Sequence, residues 1–91
     1  MPTISYFYGI YVRMYVREHL PPHFHAIYGE YEANISVETG DILEGRLPRS
    51  AARLVKEWVD RHRAELVSNW RRTQSGHPPE RIAGLDADES R

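Results

Sequence analysis

Ninety-one residues, 41% of them hydrophobic and none of them cysteine, allow one small core and exclude a disulfide framework, a thiolate zinc site and a cysteine nucleophile. The net charge of −1 is unevenly spread: residues 49–74 carry seven basic and three acidic side chains, against five and ten elsewhere. That segment could face phosphates or an acidic partner, although the lack of a dense Lys/Arg run favours a solvated helix face.

In chain order, residues 4–17 alternate, with Ile4, Tyr6, Tyr8, Ile10, Val12, Met14 and Val16 on one parity and expected inside. A single strand of that length would run roughly 46 Å, too long for a small sheet. A bend or bulge is therefore expected at Gly9, leaving a main strand over 10–17. Pro21-Pro22 ends it, because proline cannot donate to a ladder. Residues 23–28 and 31–38 read as two further strands joined by Gly29-Glu30, a two-residue loop with glycine first, as a type II′ turn requires. That turn length sets the register. Tyr28 opposes Tyr31, Ala26 opposes Ala33 and Phe24 opposes Ile35 on the buried face, while His25 opposes Asn34 and His23 opposes Ser36 on the other, facing solvent. Thr39-Gly40-Asp41 turns the chain into a short strand over 42–46. From Pro48 to Thr73 the period becomes helical, with Ala51, Leu54, Val55, Trp58, Val59, His62, Leu66, Val67 and Trp70 on one stripe. Ile82 and Leu85 pin an extended tail, and residues 86–91 form a disordered polar end. The expected fold is α+β: a three- or four-stranded antiparallel β-meander with one long helix on one face, in a single domain over 1–85.

The chemistry concentrates in His19-Leu20-Pro21-Pro22-His23-Phe24-His25. Alternate strand positions present His23 and His25 to one side. With His19 from the loop they form a candidate ligand set for a divalent metal, to which Glu18, Glu30 or Glu32 could add a carboxylate. The spacing His23-x-His25-x4-Glu30 resembles the metal motif of cupin barrels, but the chain is too short for a jelly roll. No other cofactor is expected. The same rings with Tyr15 form a candidate acid–base set for phosphodiester cleavage, with Arg13, Arg17 and Asn34 as binding residues on the same outward parity. The plainer alternative is a stiff bend whose histidines hydrogen-bond turn carbonyls. His62 is expected at the core edge, bonded to a carbonyl, and His77 in exposed loop. No apolar run reaches membrane-spanning length and the amino terminus lacks a leader pattern, so a cytoplasmic protein without membrane contact is expected.

Met1-Pro2-Thr3-Ile4-Ser5, Phe7-Tyr8-Gly9-Ile10, Pro21-Pro22-His23-Phe24-His25-Ala26, Glu65-Leu66 and Asn69-Trp70 together carry a resemblance. Over about residues 1–85 the chain resembles a family of small bacterial proteins classed as a domain of unknown function. Its members are often encoded beside a second small domain, in pairs predicted to be toxin–antitoxin modules. Glu18 stands where aspartate is usual, and the carboxylate is retained. The resemblance implies a genetic context and assigns no catalytic residue. The expected function is a component of such a two-gene module, acting through protein–protein interaction with a small partner encoded by the adjacent gene. The alternative is a small RNase or a metal-dependent hydrolase using His19, His23 and His25. A homo-oligomer and RNA stand as further partner classes.

Overall fold

The computed structural model of the protein describes residues 3–89. Strands β1 (Thr3–Phe7), β2 (Ile10–Arg13), β3 (His23–Tyr28), β4 (Tyr31–Ser36) and β5 (Ile42–Gly45) form one antiparallel sheet in chain order. Helix α1 (Arg49–Gln74) follows, and then a short α2 (Leu85–Glu89). The α+β class and the long helix agree with the sequence reading. The sheet, however, has five strands rather than three or four.

The difference arises at Gly9. Tyr8 and Gly9 adopt φ of 50° and 81°, the two left-handed residues of a type I′ hairpin turn. The chain therefore reverses instead of bending, Phe7 opposes Ile10, and β2 stops at Arg13. The uniform parity expected for residues 4–17 also fails. A bulge between Thr3 and Ser5 shifts the register, so that Ile4, Ser5 and Phe7 are buried while Tyr6 turns outward at 49% exposure. Ile10, Val12 and Met14 are buried as expected, whereas Tyr8 and Val16 are exposed.

The second hairpin follows the turn-length argument. Gly29 has φ of 58° and Glu30 has no positive φ, the signs of a type II′ turn. His23 pairs with Ser36, Phe24 with Ile35, His25 with Asn34, Ala26 with Ala33 and Tyr28 with Tyr31. Two members of the inward row depart from expectation: Tyr28 is exposed and Tyr31 only half-buried, because they sit at the turn end of the hairpin, where the core stops.

Helix α1 lays Ala51, Val55, Trp58, Val59, Leu66 and Trp70 on the sheet, against a core that includes Phe7, Val12, Phe24 and Ile35. Its last turn carries Arg71 and Arg72, the favourable sign for the negative end of the helix dipole. The end is a Schellman motif: Gly76, at φ of 85°, bonds its N–H to the Thr73 carbonyl, and His77 bonds to that of Arg72. His62 interrupts the helix with φ of −122° and ψ of 24°. Its ring is buried as expected, and its Nδ1 lies 2.5 Å from the Glu65 carboxylate.

The segment after α1 covers the outer edge of β1, where the Ile82 N–H donates to the Ile4 carbonyl at 2.8 Å. Asn69, buried in the helix, holds this segment in place. Its amide donates to the Glu80 carbonyl and accepts from the Glu80 N–H, each at 2.8 Å. Asn69→Ala is expected to cost about 1–2 kcal/mol in urea unfolding and to hasten tryptic cleavage after Arg81. An unchanged cleavage rate would show that the clamp does not hold the segment. Of the expected disordered stretch over 86–91, residues 86–89 belong to α2, which begins at Leu85, and residues 90–91 lie outside the described residues.

Candidate functional site

The face of the sheet opposite α1 carries two cross-strand rows. Tyr6, Tyr11, Ile27 and Glu32 form one, and Arg13, His25, Asn34 and Glu44 the other. Register alone would leave His23 and His25 open to water on this face. They are not. Residues 14–22, between β2 and β3, double back over the start of β3. This path is held where the Arg17 N–H donates to the Thr73 carbonyl at 3.1 Å. His23 is consequently 8% exposed, with its ring 5.5 Å from that of Trp70. The side chain of His25 is 15% exposed, and the Tyr15 ring packs edge-on against it at 4.6 Å.

The loop also delivers Glu18. Its Oε1 lies 2.6 Å from His25 Nε2 and 3.6 Å from His23 Nε2. Behind the two rings, His23 Nδ1 is 2.8 Å from the Pro21 carbonyl, and His25 Nδ1 is 3.5 Å from Glu32 Oε2. Burial alone would raise the Glu18 carboxyl, but the hydrogen bond from His25 and the charges of His25, His23 and His19 outweigh it and hold the group below its ordinary range. Glu18 is thus an anion at neutral pH. A cleft of about 310 Å³ opens onto the cluster, walled by His19, Leu20, Pro21, Asn34, Leu43 and Glu44.

Among the described residues, the group able to surround a metal ion is Glu18, His23 and His25, whose donor atoms lie within 4.8 Å of one another. His19 is exposed on the cleft wall and stands outside that group, so the third member is the carboxylate rather than the third imidazole. Glu30, the cupin-like member, sits in the exposed turn. Arg13 stands beside His25 and reaches over the Tyr11 ring at 5.8 Å. Arg17 turns away: its guanidinium lies against Gly76 at the end of α1. Asn34 donates to Glu44 at 3.3 Å. The sequence reading offered Glu18 and Glu32 among three carboxylates without saying which ring each meets, and its expected turn carbonyl for a histidine is that of Pro21 on His23. The alternation through residues 14–17 points to continued strand, whereas β2 stops at Arg13, and residues 18–22 have no periodicity from which their path could be read.

An acid–base catalyst needs a ring nitrogen facing its substrate. His25 spends Nε2 on Glu18, and its Nδ1 is buried. His23 spends Nδ1 on Pro21 and aims Nε2 at Glu18. The cluster is built to converge on a point among its own three side chains. No helix is long and apolar enough to cross a membrane among the described residues.

No curated protein and no solved structure matches the chain. Residues 9–71, which span β2 to near the end of α1 and include the whole histidine cluster, match the family described as "Domain of unknown function (DUF4160)". With well over half of its length matched, the chain belongs to that family.

Proposed function

We propose that this chain is the interaction component of a bacterial two-gene, toxin–antitoxin-like module, and that its open sheet face receives a small basic protein encoded by the adjacent gene. The observation that carries this reading is the tyrosine pair on that face. Tyr6 and Tyr11 pack with ring centroids 4.5 Å apart and planes tilted by 46°, and keep 49% and 44% of their surface in water. Tyrosine provides large, rigid contact area with a polar tip and is enriched at protein interfaces. Its faces also attract cations, as Arg13 already shows on Tyr11.

Charge narrows the class of partner. The same side of the sheet carries Glu32 and Glu44 in its two rows, with Glu30 exposed in the adjoining turn. These carboxylates repel a phosphate backbone and complement lysine and arginine. A basic polypeptide therefore fits better than RNA.

The test is co-expression with the adjacent reading frame, followed by size exclusion and affinity measurement. A stable complex is expected, and the Tyr6→Ser/Tyr11→Ser variant should bind at least about tenfold more weakly, as loss of interface anchors does. Arg53→Ser, on the exposed side of α1, should bind normally. A chain that stays a monomer beside its neighbour's product, or a tyrosine variant with undiminished affinity, would refute the proposal. Preferential capture of RNA at physiological salt would favour the nuclease alternative instead.

A further inference from the structure

The protons of the histidine cluster cannot be placed satisfactorily on neutral rings. A carbonyl only accepts, so the 2.8 Å contact with Pro21 puts a proton on His23 Nδ1. Nε2 of a neutral His23 then carries a bare lone pair, and it faces the Glu18 carboxylate at 3.6 Å. His25 has the same difficulty whichever way it is assigned. A proton on Nε2 satisfies Glu18 but leaves Nδ1 as a buried acceptor, unbonded and 3.5 Å from the Glu32 carboxylate. A proton on Nδ1 suits Glu32 but turns the Nε2 lone pair on Glu18 at 2.6 Å. Buried acceptors facing one another are costly.

Positive charge between the three converging atoms removes every one of these conflicts. A second proton on His25 alone answers Glu18 and Glu32 but still leaves the His23 Nε2 lone pair turned towards Glu18 at 3.6 Å. A metal ion does it with no extra proton. We propose that Glu18, His23 and His25 bind a divalent transition-metal ion of the zinc class, through Glu18 Oε1 and the two Nε2 atoms.

The distances fit. Tetrahedral zinc with bonds of 2.0–2.1 Å sets its ligand atoms about 3.3 Å apart. The two separations from Glu18 Oε1, 2.6 and 3.6 Å, bracket that value, and all three donor atoms lie within 4.8 Å of one another, so side-chain rotation that draws the two rings together completes the set. The outer contacts fit as well. Ligating histidines usually donate their second N–H to a carbonyl or carboxylate. His23 already has the Pro21 carbonyl in that place, and for His25 the Glu32 carboxylate stands 3.5 Å from Nδ1, near enough to take it. Two imidazoles and one carboxylate suit zinc and its transition-series neighbours, whereas calcium and magnesium prefer oxygen ligands throughout. Three protein ligands leave a position open, and the cleft beside Leu20, Leu43 and Glu44 gives a water or a small ligand access to it. Metal uptake relies on residues other than the tyrosine pair, so it can succeed or fail independently of partner binding.

The experiment is calorimetric titration of the chelator-stripped full chain with zinc chloride alone, alongside magnesium chloride. One zinc ion per chain is expected, with no response to magnesium. Glu18→Ala, His23→Ala and His25→Ala should each weaken zinc binding by about a hundredfold or more, and Glu32→Gln by about 10–100-fold through loss of the outer contact. His19→Ala and His77→Ala should leave it unchanged. Circular dichroism of each metal-free variant checks folding, and Glu18→Gln, which keeps the shape and removes the charge, replaces Glu18→Ala if the latter unfolds. Absence of zinc uptake by the native chain, affinity unaffected by Glu18→Gln and His25→Ala, or equal loss in His77→Ala would each overturn the assignment.

Discussion

Trp58→Ala is expected to lower stability by about 3–5 kcal/mol, the usual cost of truncating a fully buried tryptophan. A domain of this length has about 5–10 kcal/mol in total, so the variant keeps little of its native population under mild denaturant. Its thermal midpoint should fall by about 15–30 °C. Trp58 has no exposed surface and packs on Phe7 at 5.3 Å and Phe24 at 5.6 Å, rings that come from β1 and β3. Its indole N–H also donates to the Ala83 carbonyl at 2.8 Å, tying the segment after the helix to the same point. One side chain thus joins helix, sheet and tail. Trp58→Phe keeps most of the volume and loses only the indole donor, so it should cost about 1–2 kcal/mol. Urea unfolding of both variants measures the two contributions. A loss below about 1 kcal/mol for Trp58→Ala would mean that the helix is anchored elsewhere.

Gly45→Ala should cost about 2–4 kcal/mol locally, with a different signature. Gly45 has φ of 82°, and a Cβ there would lie 2.3 Å from the Glu32 carbonyl oxygen and 3.0 Å from the Ala33 Cα. Both atoms are backbone of the neighbouring strand and cannot rotate away. Since β5 is an edge strand with every residue exposed, the chain relieves the clash by releasing β5 rather than by unfolding throughout. Hydrogen exchange should therefore rise at β4–β5 amides while β1–β3 remain protected. The cleft wall formed by Leu43 and Glu44 would loosen with it. Gly29→Ala is the control: its φ is 58°, but nothing lies within 4 Å of the added methyl, so only the left-handed backbone penalty of about 1–2 kcal/mol applies. Equal effects at the two glycines would show that backbone conformation, and not the contact with Glu32, governs position 45.

Much of the fold was legible because its signals are local. The stripe from Ala51 to Trp70 marks a helix by period alone, and the observed α1 begins and ends within a residue of that reading. Gly29-Glu30 announced a two-residue turn, and from turn length every pair of the β3–β4 ladder followed, His25 with Asn34 included. Gly9 was legible as a break, but not as a reversal. Type I′ geometry needs a second left-handed residue, and Tyr8 gives no such warning. The bulge near Ser5 was equally silent, and it sent Tyr6 into solvent in place of Phe7.

By itself the sequence determined the fold class, the helix, the β3–β4 register and the alternation that puts His23 and His25 on the same parity of β3. Those follow from periods and turn lengths, which act over a few residues. Only the tertiary structure decided what meets the two histidines. Glu18 reaches them because residues 14–22 are pinned to the end of α1 through Arg17 and Thr73, a contact between segments more than fifty residues apart that no local pattern encodes. Turn geometry set the register of the imidazoles, and packing of the loop between β2 and β3 supplied the carboxylate between them.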